Sequence, residues 1–237
     1  MASILGIGIA AVDIINATDG YPAEDEEVRA IRQTIRRGGN ATNSLVVLSQ
    51  LGHQCEWLGT LADDVNSQVI INDLDSNNIN FSHCQRLANT KTPTSYITLN
   101  QRNGSRTIVH YRDLPELTAD AIRQVNTAHF DWIHFEGRNV ADTRSMMDYV
   151  KQHSAGVPVS VEIEKPRDKL EQLFSGADVY FFSRAFAETA RFDSAQSLLE
   201  HYRTKIPDAT LVCHREDVGR IKDLVGKVSD VYGDEYQ

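Results

Sequence analysis

The sequence lacks the features of a nucleic-acid-binding, membrane-spanning or secreted protein. It contains 24 Lys and Arg and 33 Asp and Glu, which give a formal net charge of −9. This charge argues against non-specific binding to nucleic acid or an anionic membrane. A local basic site for a small phosphate ligand remains compatible with that charge. No apolar run approaches the roughly 20 residues that cross a bilayer, and MASILGIGIA has no basic region of the kind that opens a signal peptide. We therefore expect a soluble, cytoplasmic protein.

Cysteine and the common catalytic motifs are also scarce. Cys55, Cys84 and Cys213 form neither a zinc pattern nor a disulfide framework, as is typical of a reducing compartment. The eight histidines are scattered without i, i+4 pairs, so metal ligation is not expected of them. No phosphate loop or G-x-S-x-G elbow occurs, and Gly6-x-Gly8 lacks the third glycine and the following helix of a dinucleotide fingerprint.

What the sequence does contain is an alternation of apolar runs and amphipathic segments. Strands are predicted at SILGIGIAAV, CEWLGTL, DWIHFEG, VPVSVEIE, ADVYFFS and ATLVC. Helices are predicted from Asn40 to Gly52, along the face Val65, Val69, Ile70 and Leu74, and in DTRSMMDYVKQH, KPRDKLEQLF and SAQSLLEHY. Such alternation implies an α/β fold, a mainly parallel sheet flanked by helices.

Two more polar segments, about 12–37 and 92–112, interrupt this alternation. The second contains TSYITLN and SRTIVHY around Asn103-Gly104, a signal for a hairpin turn. These segments are either separate surface hairpins or together a small lid sheet over the carboxyl edge of the main sheet. Because no linker separates them from their neighbours, we expect a lid inserted in a single domain that covers 1–237.

Polar residues follow the first apolar run and the RRGG segment. Ligands of open α/β sheets bind beyond the carboxyl ends of strands, where we place Asp13. It either caps a turn or binds a ligand. Gly39 and Asn40 are either a glycine turn with an Asn helix cap or one wall of a pocket. Asn43, in the first helical turn, is not needed for capping and favours the pocket.

A second set of charged and polar residues lies at the ends of two later strands. In HFEGRN these are Glu136, Arg138 and Asn139, and in VEIE they are Glu162 and Glu164. The two interpretations are a solvated cluster at strand ends and a group of metal-associated or supporting residues that surround a metal-bound phosphate.

Several strings, in order along the chain, resemble the ribokinase-type (phosphofructokinase-B) carbohydrate kinases and, within them, the ketohexokinase (fructokinase) branch. They are GIAAVDII, YPAEDEEVRA, RRGGNATNS, NGSRTIVHY, WIHFEGRN and VSVEIEKPRDKLEQLF. The G-G-N-A-x-N string is the first signature of the family, and the last two strings are typical of the branch. The resemblance extends from the start of the chain to about Cys213.

The resemblance implies a Rossmann-like ribokinase fold with a β-clasp lid through which two subunits form a homodimer. It implies transfer of the γ-phosphate of ATP, with Mg²⁺, to a hydroxyl of fructose or a related ketose. By the same resemblance Asp13, Gly39, Asn40 and Asn43 would bind the sugar. Asp25 would reach into the partner's site, and Arg106 would meet the ATP phosphates.

One departure from the family pattern concerns catalysis. The second signature, D-T-x-G-A-G-D, which holds the catalytic base, does not occur, and Gly233-Asp234 lacks its preceding Gly-Ala. We therefore assign no catalytic residue and expect a C-terminally incomplete domain. The alternatives are a fragment or alternatively ended product, an incomplete sequence, and an inactive relative that only binds sugar or dimerises. A ribose or nucleoside kinase of the same family is a further alternative, since Asp13, Asn40 and Asn43 suit any polyol.

Overall fold

The structure, a computed structural model, describes residues 1–213 and shows strands alternating with helices. The strands are β1 (Ser3–Ile7), β2 (Ala11–Thr18), β3 (Arg32–Gly38), β4 (Gln54–Leu58), β5 (Thr60–Ala62), β6 (Ile79–Asn80), β7 (Gln85–Leu87), β8 (Thr94–Asn100), β9 (Arg106–Tyr111), β10 (Trp132–Glu136), β11 (Val159–Ile163), β12 (Val179–Phe182) and β13 (Thr210–Cys213). The helices are α1 (Asn40–Gln50), α2 (Ser67–Ser76), α3 (Val140–His153), α4 (Arg184–Thr189) and α5 (Ala195–Arg203). Short 3₁₀ helices cover Ala119–Gln124, Thr127–His129 and Leu170–Leu173.

The main layer is a seven-stranded parallel sheet in the order β13-β12-β11-β10-β1-β4-β6. Apolar side chains project from both of its faces, as the near-continuous apolar runs predict. Phe135 and Val161 pack with Met147 of α3 on one face, while Ile4 packs with Leu45 of α1 on the other. The predicted α/β class is thus confirmed. Among residues 1–213, no helix has the length and apolar character needed to span a bilayer.

The segments 12–37 and 92–112 form a second, four-stranded sheet in the order β3-β2-β8-β9, called the lid sheet below. Its two hairpins, β2–β3 and β8–β9, are antiparallel, and they join through a parallel pairing of β2 with β8. The predicted turn at Asn103-Gly104 is confirmed, with Gly104 at φ 70 between β8 and β9. A small pairing of β5 with β7 completes the sheets.

The predicted strands SILGIGIAAV and CEWLGTL are each broken at a glycine. A Cβ on Gly8 would lie 2.6 Å from the Glu136 carboxyl carbon, and one on Gly59 would lie 2.6 Å from the Gly8 carbonyl oxygen. Only glycine permits this approach, and the chain leaves the parallel sheet at both points. The expectation for Asp13 is therefore wrong in one respect, because Asp13 lies within β2 of the lid sheet, not just beyond β1.

Two predicted helical positions also need correction. KPRDKLEQLF contains only the 3₁₀ helix Leu170–Leu173, because Lys169 has a left-handed φ of 59 that an α-helix cannot include. Val65 lies before α2 and is 85% exposed. The Asp64 side chain accepts the Ser67 N–H at 3.0 Å where α2 begins, so the buried face of α2 starts after Val65.

Replacing Gly39 with alanine should destabilise the fold strongly. Gly39 has φ 115, and a Cβ there would lie 2.2 Å from the Ile9 carbonyl oxygen. We expect Gly39→Ala to lower the free energy of unfolding by ~3 kcal/mol or more, because backbone strain and a backbone clash add. Gly52→Ala is the matched control, since Gly52 has φ 88 but nothing within 4 Å, and should cost about 1 kcal/mol from the left-handed backbone alone. Urea unfolding measures both, and equal losses would contradict the clash.

A second prediction concerns the pH dependence of stability at His134 on β10. Its Nδ1 lies 2.8 Å from Ser160 Oγ, which accepts the Trp132 indole N–H at 2.8 Å. Burial lowers the pKa of His134 to about 4, so the unfolded chain binds a proton here first as the pH falls. Stability from this group is therefore present above about pH 6.5 and lost toward pH 4, on the order of 3 kcal/mol.

The measurement is urea unfolding of the wild type and His134→Gln at several pH values. The difference in stability between the two should change in favour of the variant between pH 6.5 and pH 4. A difference that stays constant over that range would show that His134 titrates normally in the folded protein.

Candidate functional site

The lid sheet meets the parallel sheet where β1 and β10 end and α1 begins. Three side-chain contacts join these parts. Glu136 Oε1 accepts the Ala41 N–H at 2.7 Å, and Glu136 Oε2 accepts the Ile9 N–H at 3.3 Å. Asn40 Nδ2 donates to Glu162 Oε1 at 3.0 Å. The amino end of α1 is therefore held over the carboxyl ends of β10 and β11, the edge at which ligands of parallel sheets bind.

Glu136 is a buried anchor of this edge, not a member of a solvated cluster. Only 6% of the residue is exposed. Burial raises the pKa of Glu136, while the Ala41 N–H and the Arg138 guanidinium act in the opposite direction. A carboxylate at the amino end of a helix also interacts favourably with the helix dipole. Because both oxygens accept backbone N–H groups, Glu136 positions the site rather than binding a ligand directly.

Asn40 does not cap α1, which corrects the capping interpretation. The cap position is Gly39, and no side chain caps it. The Asn40 side chain instead reaches Glu162. Burial, and next the charge of Glu136, raise the pKa of Glu162 to about 7. Because Asn40 makes this contact through its amide nitrogen, its Oδ1 remains available to accept a hydrogen bond.

Asn43 lies one turn further along α1, and a residue of the lid sheet binds its side chain. Its Oδ1 accepts a hydrogen bond of 2.9 Å from Arg37 Nη1. Its own N–H donates to the Gly39 carbonyl at 2.9 Å. Arg37 was not among the residues expected in the site. Its position directly before the two glycines was the only available signal.

Asp13 lies beside the same glycine pair. A Cβ on Gly38 would lie 2.5 Å from Asp13 Oδ2, so the absence of a side chain there makes room for the carboxylate. Asp13 pairs with Arg36 and Ser95 in the lid sheet, and Ser95 pairs with His110. The structure thus brings Asp13, Gly39, Asn40 and Asn43 to one corner between the lid sheet and α1.

His110 is a second residue that the sequence did not indicate. Its Nδ1 lies 3.1 Å from Ser95 Oγ. Burial lowers the pKa of His110, the positive charges of Arg112 and Arg138 lower it further, and Asp13 raises it. Only the register of β8 and β9 places it in the row of Asp13, and register was not predicted.

Arg106 and Asp25 lie away from this corner within the chain. Arg106 pairs with Leu99, and Leu99 with Ala17, four residues beyond Asp13 on β2. That is about 13 Å along the sheet. Asp25, with φ 61, is exposed in the connection that follows the far end of β2.

Of the remaining expected residues, Arg138 lies nearest to the edge. Its Nε is 3.4 Å from Glu136 Oε2 and 3.9 Å from Glu116 Oε1. Asn139 is directed elsewhere, because its Nδ2 donates to the Leu117 carbonyl and to Asp142 at the start of α3.

Glu164 pairs with Lys165 at 3.4 Å. Within residues 1–213, no group of three or more His, Cys, Asp or Glu side chains is arranged to hold a metal ion. The cluster therefore positions charge around the edge, and no Mg²⁺ ligand is assigned from it.

An open, mainly apolar pocket with a volume of about 710 Å³ lies beside α1, on the face of the parallel sheet, and reaches the carboxyl edge at Asn40 and Glu162. Asn40, Asn43 and Glu162 line it, together with Trp132, His134 and Phe181 of the sheet. Asn40 and Asn43 therefore stand between this pocket and the lid sheet, with space on the side of the parallel sheet.

Comparison with known proteins agrees with this architecture. The model of the family described as "pfkB family carbohydrate kinase" matches residues 1–210 of this chain. Ketohexokinase of Mus musculus is 39% identical over 218 residues, which are 89% of this chain and 73% of the mouse protein.

Solved structures show the same fold. A putative ribokinase from Agrobacterium tumefaciens is 18% identical with a TM-score of 0.76, over 90% of this chain and 69% of that one. Arabidopsis thaliana ribokinase, complexed with ribose and ATP, is 17% identical with a TM-score of 0.70. The match covers 89% of this chain and 70% of the Arabidopsis chain. The family match over nearly all described residues and the extent of the mouse similarity lead to one conclusion. The chain belongs to the pfkB family of carbohydrate kinases, the ribokinase-type family that its motifs indicate.

Proposed function

We propose that this carbohydrate kinase transfers the γ-phosphate of ATP to a hydroxyl of fructose or a related ketose. The observation that carries the proposal is the corner at Gly38-Gly39, where Asp13, Asn40 and Asn43 converge from the lid sheet and α1. The choice of a ketose is supported by the 39% identity with mouse ketohexokinase over 89% of this chain. Ribokinase of Bacillus subtilis is 27% identical over only 46% of it.

In this proposal the corner binds the sugar hydroxyls. The Asp13 carboxylate and Asn40 Oδ1 accept hydrogen bonds from hydroxyl groups. The Asn43 amide is the third polar group of the corner. Gly39 keeps the backbone free of a side chain where the ligand approaches. A hydrogen bond between a hydroxyl and a carboxylate is stronger than one between neutral groups, so Asp13 should contribute most to affinity.

A homodimer through the lid sheet is part of the proposal. One face of the lid sheet carries a row of exposed apolar side chains, Ile35 (51%), Tyr96 (51%) and Val109 (66%), which are cross-strand neighbours through Ile14. A contiguous apolar patch of this kind supports a protein interface. Asp25 is exposed in the connection that follows the far end of β2 in its own chain, which suits a role in the partner's site.

ATP and Mg²⁺ are the proposed co-substrate and metal. Arg106 is exposed on β9 and offers a guanidinium for phosphate oxygens. Mg²⁺ in phosphoryl-transfer sites is held largely by the substrate phosphates, which is consistent with the lack of a metal-holding cluster within residues 1–213. Glu136, Arg138, Asn139, Glu162 and Glu164 are surrounding groups in this scheme. No catalytic base is assigned, and Gly233-Asp234 lies outside the described residues.

Kinase activity on a ketose is tested directly by a phosphate-transfer assay. The wild-type chain is incubated with ATP, Mg²⁺ and fructose, ribose or adenosine, and ADP release is measured. Transfer to fructose above the ATPase background is expected. Transfer to ribose or adenosine alone would overturn the ketose assignment. Fructose binding without transfer to any acceptor, also in a version that contains a G-A-G-D segment, would overturn the kinase assignment and leave a sugar-binding protein.

Removal of the Asp13 carboxylate should weaken fructose binding. We expect Asp13→Ala to raise the dissociation constant by ~10-fold or more, because a charge-assisted hydrogen bond is lost. Isothermal titration calorimetry measures this without requiring turnover. Asp75→Ala on the exposed side of α2 is the matched control and should bind as the wild type does. Unchanged affinity in Asp13→Ala would place Asp13 outside the pocket.

A further inference from the structure

Arg37 is a nearly buried cation at the joint between the lid sheet and the α1 edge. It is the penultimate residue of β3, and only 5% of its side chain is exposed. Burying a guanidinium is unfavourable unless its N–H groups have acceptors. The acceptors of Arg37 come from two different helices, which makes it a connection between three elements.

Three contacts define this connection. Arg37 Nε donates to Asp73 Oδ2 of α2 at 2.5 Å. Arg37 Nη1 donates to Thr42 Oγ1 at 2.7 Å and to Asn43 Oδ1 at 2.9 Å, both in the first turn of α1. The Thr42 hydroxyl in turn lies 3.1 Å from the Gly39 carbonyl, to which it donates. The first turn of α1 is thus tied to the lid sheet by side chains as well as by the glycine pair.

The contact with Asn43 determines which way its amide points. A guanidinium has only donors, so the group that faces it must be the amide oxygen. With Oδ1 engaged by Arg37, the NH₂ end of Asn43 is directed away from Arg37. Asn43 is exposed and lines the pocket beside α1. Without Arg37 the amide could rotate and present either end to a ligand.

We propose that Arg37 is a positioning residue that locks the Asn43 amide, so that Asn43 acts on the ligand only as a hydrogen-bond donor. The proposal rests on the proposed sugar-binding function, which it deepens. Arg37 itself contacts no ligand in this scheme. It acts through Asn43 and through the orientation of the first turn of α1.

The locked amide gives the corner a defined pattern of donors and acceptors. Asn43 donates, the Asp13 carboxylate accepts, and Asn40 Oδ1 accepts because the Asn40 amide nitrogen donates to Glu162. A ligand that satisfies all three must offer O–H donors together with an acceptor oxygen. Neighbouring hydroxyls of a neutral polyol provide both. An ionised phosphate or carboxylate group has no O–H to offer Asp13 and Asn40, so the pattern favours hydroxyl groups over an anionic group at this corner.

The first test uses Asn43→Asp, a variant that retains the Arg37 contact and removes only the donor. A carboxylate in the first turn of α1 is also favourable for the helix, so the variant should fold. We expect thermal stability equal to or above that of the wild type and fructose binding weakened at least ~10-fold by calorimetry. Fructose affinity equal to the wild type would overturn the donor role of Asn43.

The second test is a double-mutant cycle between Arg37→Met and Asn43→Ala, with fructose affinity as the readout. Each single change should weaken binding ~10-fold, and the double variant should be weakened by much less than ~100-fold, because both changes remove one interaction. Arg37→Met combined with Asp13→Ala should approach ~100-fold, since those effects are independent. Additive effects of Arg37→Met and Asn43→Ala would overturn the positioning role.

Asp73→Asn separates positioning from stability. It removes the ion-pair partner of Arg37 but leaves the contact between Arg37 and Asn43. Thermal stability should fall while fructose affinity stays within about twofold of the wild type. A loss of affinity as large as that of Arg37→Met would mean that Arg37 acts through general stability, and would count against the proposal.

A readout without sugar keeps this proposal distinct from the proposed function. Side-chain amide NMR signals of Asn43 should show a single fixed orientation in the wild type and in Asp73→Asn, and rotational averaging in Arg37→Met. That result, with no ketose binding in the wild type, would support the lock and overturn the sugar assignment. An Asn43 amide that averages in the wild type would overturn the lock, whatever the protein binds.

Discussion

The arrangement of the candidate site at the carboxyl edge of the parallel sheet depends on one buried carboxylate. Glu136 ends β10 and accepts the backbone N–H of Ala41 in α1 and of Ile9 between β1 and β2. Both donors lie at points where the chain leaves a regular element and would otherwise need another acceptor. Burial raises the pKa of this carboxyl group, so these donors and Arg138 are what make a charged group tolerable there.

The Glu136 anchor also explains the glycines around it. Gly8 lies so close to the Glu136 side chain that any Cβ would overlap with it, and Gly39 lies even closer to the Ile9 carbonyl oxygen. The backbone therefore crosses from the parallel sheet to the lid sheet in close contact with Glu136 and with the start of α1. That close crossing brings Asp13 and the first turn of α1 to the same corner, which is the physical basis for a small polar ligand site.

Two ionisable side chains orient the amides of this corner. Glu162 holds the Asn40 amide and Arg37 holds the Asn43 amide, so each amide can present only one of its two ends. Sites whose first contacts are oriented by a second layer of hydrogen bonds are pre-organised, and less free energy is lost to ordering when ligand binds. The lid sheet takes part in this layer through Arg37, which connects any movement of the lid to the orientation of Asn43.

Much of the architecture followed from sequence because its signals are local. Apolar runs at β10, β11, β12 and β13 and the amphipathic α1, α3 and α5 predict the parallel sheet and its flanking helices. Errors arose where tertiary contacts override local pattern. Gly8 and Gly59 break two predicted strands because another part of the chain approaches them. Lys169 reduces a predicted helix to one 3₁₀ turn, while Leu170 and Leu173 still reach the core.

For the site, the sequence by itself determined the family and the polar residues that converge at Gly38-Gly39, because the G-G-N-A-x-N string and Asp13 are recognisable without coordinates. Only the tertiary structure decided what those residues can do. The Asn40 amide is oriented by Glu162, 122 positions away, and α1 is anchored by Glu136, 95 positions from Ala41. Donor and acceptor roles depend on partners of this kind, whose proximity arises from sheet order and strand register. Local sequence determines neither.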